Sequence, residues 1–154
     1  MRREVVLAWG VFAIWAAVIW GLGGEDFGTD STSRFLRPLL EWLLPGLSAA
    51  GLDLAHLSIR KAFHAFEYGL LGLLALRALR LTWRMSLTRA ALIAVGVALA
   101  LAAADESRQA LSETRGGAWT DVLLDVAGAS AAIAVVRVLP RRAKGLFLDD
   151  WRVG

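Results

Sequence analysis

The chain has 154 residues, of which 57% are hydrophobic and 20% charged, and it carries a formal net charge of +3. A soluble domain sits nearer roughly 45–50% apolar, so this excess points to a membrane protein. With no cysteine, disulfides and thiolate metal sites are excluded. The basic residues sit at the ends of apolar runs rather than on one polar face, which argues against a nucleic-acid partner.

Residues 1–22 are two arginines followed by a long apolar run, read as a first transmembrane helix over about 4–22. A signal peptide would have a shorter apolar core and an A-x-A cleavage site, and neither is present. Several of the seven tryptophans lie near run ends, as interfacial anchors do, but Trp15 lies in the middle of this run. Residues 23–33 are turn-rich and polar. The next segment places Phe35, Leu36, Leu39, Leu40, Leu43 and Leu44 at helical spacing before Pro45 and Gly46. That predicts an amphipathic helix over about 33–45, too short to span. It either lies in the outer membrane interface or packs on the rest of the molecule.

A second span is expected at about 60–81, with Arg60, Lys61, His64 and Glu67 in its first turns and Arg77 and Arg80 at its end. A third runs over about 88–107 and carries Asp105 and Glu106 at its close. E-T-R-G-G breaks it, and Thr120 is read as the N-cap of a fourth span, about 120–139, stopped by Pro140. Residues 141–154 read as a short tail. The fold expected is all-α: one integral membrane domain over 1–154, a four-helix bundle with an outer interfacial helix. With the N-terminus inside, 11 of the 17 basic residues fall on the cytoplasmic side, from Arg2 and Arg3 to Arg142, Lys144 and Arg152. Basic residues decide topology, so both termini, and with them the tail, are expected on the cytoplasmic side of a membrane.

In that topology the start of the second span, the end of the third and the start of the fourth share the outer face. Lys61, His64 and Tyr68 fall on one helix face with Glu67 at its edge, and Asp105 and Gln109 are one turn apart, as are Asp121 and Asp125. The aspartate stripe continues through Gly128, Ala129 and Ala132, small residues that let another helix approach and turn the carboxylates away from lipid. An ionisable residue at hydrocarbon depth is costly and marks a functional site by default. His64, Glu67 and Glu106 are therefore candidate proton-handling, catalytic residues. Lys61, Tyr68, Asp105, Gln109, Arg115, Asp121 and Asp125 are candidate ligand-binding residues.

These residues carry a family resemblance. K-x-x-H-x-x-E-Y (Lys61 to Tyr68), D-E-x-x-Q leading to an R-G turn (Asp105 to Gly116), and D-V-L-L-D-x-x-G-A (Asp121 to Ala129) together resemble the VanZ-like membrane proteins. The similarity covers about residues 58–135. It departs from the family pattern at Ser107, where an apolar residue is usual, and at Asp125, where asparagine is common. The resemblance implies a small polytopic protein of the bacterial envelope. The founding member is associated with reduced sensitivity to the glycopeptide teicoplanin, and the resemblance implies no particular reaction.

Simpler readings stand beside these. His64 also reads as a helix-end histidine satisfied by hydrogen bonds. The carboxylates read either as oxygen ligands for a cation or as partners of Lys61, Arg108 and Arg115 in a salt-bridge network, and the network is preferred. With only His56 and His64 and no cysteine, no metal site and no cofactor are expected. Three functions remain open. The first is an outer vestibule that binds or modifies a lipid head group or lipopeptide, with membrane lipids as partners. The second is an accessory subunit of a larger respiratory or photosynthetic type of complex, with other membrane subunits as partners. The third, ranked last, is a small ion conduit.

Overall fold

A computed structural model describes residues 3–24, 29–111 and 118–140. The described elements are five helices: α1 (Arg3–Leu22), α2 (Thr29–Leu43), α3 (Ala49–Trp83), α4 (Leu87–Ala110) and α5 (Trp119–Val138). Three of them, α1, α3 and α4, are long and apolar enough to cross a membrane. The tail 141–154 lies outside the described residues.

The start of α3 differs most from the sequence expectation. α3 starts at Ala49, 11 residues before position 60, and runs for 35 residues, about 52 Å at 1.5 Å per residue. Ser48 caps it, its hydroxyl accepting from the Gly51 N–H at 3.2 Å. The added turns bury Leu52 and His56, one helical turn apart. Asp53, His56 and Ser58 disguise that stripe in a search for apolar runs. α2 packs against α3, and Arg37 bridges to Asp53 at 3.1 Å and to Glu41 at 3.4 Å. Leu40 is buried, while Phe35, Leu39, Trp42 and Leu43 are exposed, so α2 docks by one edge and leaves an apolar face uncovered.

α3 is the hub, packing on each of the other four helices. Trp9 Nε1 donates to Thr82 Oγ1 at 2.9 Å and Trp15 Nε1 to the Glu67 carbonyl at 3.0 Å, so α1 runs antiparallel to α3. The α3–α4 turn is tight. Arg84 takes a left-handed conformation (φ 47°) with its N–H on the Arg80 carbonyl, and Ser86 caps α4. α4 buries Ala90, Ala94, Ala98 and Ala102, one per turn. They pack beside Leu71, Leu76, Leu79, Ala129, Ile133 and Val136.

α5 runs parallel to α3, in backbone contact. A Cβ on Gly128 would lie 2.2 Å from the Ala65 carbonyl oxygen, and one on Gly72 would lie 3.1 Å from Ala129 Cβ. Only small side chains permit that approach. The helix directions bring the end of α1, residues 61–68 of α3, the end of α4 and the start of α5 to one end of the molecule.

Candidate functional site

The α3–α5 contact builds the first half of the polar cluster. Lys61, His64 and Tyr68 on α3 climb beside Asp121 and Asp125 on α5. At the outer rung, Lys61 Nζ donates to Asp121 Oδ1 at 2.8 Å, both side chains partly open to the surface. One turn deeper, His64 Nδ1 faces Asp125 Oδ1 at 3.5 Å. Both atoms are buried and neither has a hydrogen-bond partner among the described residues. Tyr68, a turn further in, is 1% exposed. The carboxylate facing His64 is thus Asp125 across the helix interface, not Glu67 on its own helix. Glu67 is partly exposed, and its backbone carbonyl holds the Trp15 indole.

α4 and α1 build the second half. Asp105 is buried and fully engaged: Arg108 donates to Oδ1 at 2.6 Å and Gln109 Nε2 to Oδ2 at 2.8 Å. The same Arg108 donates to the Trp20 carbonyl at 2.9 Å, and its guanidinium stacks 4.5 Å from the centre of the Trp20 ring. Gly23 closes over this pair, because a Cβ there would stand 2.6 Å from both Arg108 and Asp105. The network reading therefore holds for Asp121 with Lys61 and for Asp105 with Arg108, while Asp125 has no Lys or Arg partner among the described residues. Arg115 and Gly116 lie outside the described residues.

Thr120 is not the N-cap of α5. The helix starts at Trp119 with Ala118 as its cap residue and no side-chain cap bond of its own. The buried Glu106 carboxylate of α4 supplies the acceptor, taking the Ala118 N–H at 2.8 Å. An anionic group at a helix N-terminus satisfies an orphan donor and suits the helix dipole. Glu106 therefore ties the end of α4 to the start of α5.

No group of three or more His, Asp or Glu residues that could hold a metal ion occurs among the described residues. Sequence reasoning missed Trp15, Trp20 and Gly23. Trp15 did carry a signal, since an indole N–H in mid-span needs an acceptor. Trp20 and Gly23 carried none, because their role depends on where α4 ends.

Comparison with curated proteins returns no match, and comparison with solved structures returns none. A family model described as VanZ/LLP1 matches residues 8–140, a stretch that contains all three motifs and the helices that bring them together. The chain belongs to the VanZ/LLP1 family.

Proposed function

We propose that this VanZ-like protein spans the bacterial cytoplasmic membrane four times, both termini inside, and that its polar cluster binds or modifies an envelope lipid head group or lipopeptide at the outer face. The observation that carries this reading is the buried Asp125 Oδ1 facing His64 Nδ1, neither atom having a hydrogen-bond partner among the described residues. A polar group left unsatisfied at such depth costs stability, and that cost is retained where the group is used. α5 is the fourth span here. Its 20 residues match a hydrocarbon core of about 30 Å, and it lies along α3 with its carboxylates turned inward.

In this reading Lys61 and Arg115 attract an anionic group. Tyr68, Gln109, Asp105 and Asp121 shape the site, and His64, Glu67 and Glu106 serve the protons. Glu106 has a second task, because its bond to Ala118 fixes where α5 begins. A specific observation supports the alternative of an accessory subunit: Phe35 is 83% and Trp42 76% exposed on α2, an apolar face that suits a neighbouring subunit as well as it suits lipid.

Purification of the native chain in mild detergent, followed by mass spectrometry of lipids and proteins, separates the two. The expected result is a chain without stoichiometric partners that carries one enriched anionic lipid or envelope precursor. His64→Ala should shed that lipid at unchanged abundance in the membrane. A stoichiometric set of partner proteins with no enriched lipid would sink the ligand reading in favour of the subunit.

A further inference from the structure

We infer that His64 and Asp125 form a proton-accepting pair, in which Asp125 positions the ring and His64 Nε2 takes a proton from an O–H or N–H group of the bound head group. This rests on the polar cluster being a ligand site. The two ring nitrogens stand in different surroundings. Nδ1 is closed off and faces Asp125, whereas Nε2, across the ring, points away from that carboxylate. The His64 side chain keeps 22% of its exposure while that of Asp125 keeps 2%. The imidazole therefore sets Nδ1 inward against a carboxylate, and the exposure its side chain keeps lies on its other atoms.

The contrast with Asp105 gives the arrangement its meaning. Asp105 is buried to a similar degree and is matched by two donors, as a structural carboxylate should be. Among the described residues, what Asp125 faces is an imidazole, whose charge changes with a single proton. With hydrogen on Nδ1 pointing at Asp125, the lone pair of Nε2 faces outward, which is the tautomer a base requires. The 3.5 Å separation is longer than a hydrogen bond, and contacts of this kind commonly tighten when ligand arrives.

The step is the transfer of one proton. The ligand's O–H or N–H bond breaks and its electron pair stays on the ligand. An N–H bond forms at His64 Nε2, and the resulting imidazolium stands against the Asp125 carboxylate. The same proton is then returned to the group that leaves or is rearranged. Lys61 lies one turn nearer the helix end, so the class of ligand is a head group with a hydroxyl or amine close to its anionic group. His64 is then the catalytic residue and Asp125 a positioning residue.

The chain has only two histidines, His56 and His64, so nitrogen-15 NMR of the full protein in nanodiscs resolves both rings, and His64→Ala assigns them. The neutral His64 ring is expected to carry its hydrogen on Nδ1. In Asp125→Ala it should revert to the mixed tautomers of free imidazole, and Asp125→Glu should restore the Nδ1–H form. A wild-type ring with hydrogen on Nε2 overturns the pair, and so does an Asp125→Ala ring unchanged from wild type. The wild-type spectrum needs neither a variant nor a ligand. An Nδ1–H ring in a protein that enriches no lipid keeps the pair and removes the ligand reading. An enriched lipid beside an Nε2–H ring does the reverse.

Discussion

Gly128→Ala is expected to destabilise the protein by about 3 kcal/mol, toward the upper end of what overpacking costs. The added methyl would sit 2.2 Å from the Ala65 carbonyl oxygen. That atom belongs to the α3 backbone and has no rotamer to yield, so α5 must move away as a body. The movement also separates His64 from Asp125, which the same two helices hold at 3.5 Å. Gly96→Ala is the matched control. Nothing lies within 4 Å of a Cβ at Gly96, so alanine there should be neutral or stabilising by up to about 1 kcal/mol, its helix-propensity advantage. Unfolding of both variants in mild detergent by added dodecyl sulfate checks the difference. Equal midpoints would mean that α3 and α5 are not in backbone contact.

Asp105→Ala is expected to cost about 2–3 kcal/mol, the range for losing hydrogen bonds to a charged, buried group. It removes the acceptor of both Arg108 and Gln109. Gln109 is buried, so its amide is left without that partner away from water. Arg108 keeps the Trp20 carbonyl and ring, which limits the loss. Asp105→Asn retains an oxygen and should lose about half as much. Asp53→Ala breaks an ion pair of 3.1 Å on the surface and should change stability by no more than about 0.5 kcal/mol. The same unfolding titration reads all three. If Asp105→Ala and Asp53→Ala behaved alike, the Asp105 cluster would be a surface feature.

The helices were legible because the apolar runs are long and end in charge. The close-packing face of α5 was legible as well, since Asp121, Asp125, Gly128, Ala129 and Ala132 form one stripe that can be counted along a helix, although not that α3 is the helix it meets. Pairing was not legible. Periodicity places Asp125 and Glu67 near His64 equally well. Only the register set by Gly128 against Ala65 and Gly72 against Ala129 decides that Asp125 meets the ring. The cap of α5 was hidden for the same reason. Thr120 has the chemistry of an N-cap, but Glu106 arrives from another helix and moves the start to Trp119. The first turns of α3 were missed because Asp53, His56 and Ser58 interrupt the apolar run, although Leu52 and His56 are buried against neighbours. Local sequence carries a helix's faces, whereas the contacts of its polar residues depend on the register between helices.

The most direct test of an outward-facing polar site is cysteine labelling in spheroplasts with a membrane-impermeant maleimide. The chain contains no cysteine, so each engineered thiol is the only one. Leu111 is 89% exposed, just beyond α4 at the polar end, and Thr88 is exposed at the opposite end of the same helix. With the polar cluster at the outer face, Leu111→Cys is labelled in intact spheroplasts and Thr88→Cys only after permeabilisation. Labelling of Thr88→Cys in intact spheroplasts, with Leu111→Cys protected until the membrane is opened, would put His64, Asp125 and their neighbours on the cytoplasmic side and contradict a role for them on envelope lipids at the outer face.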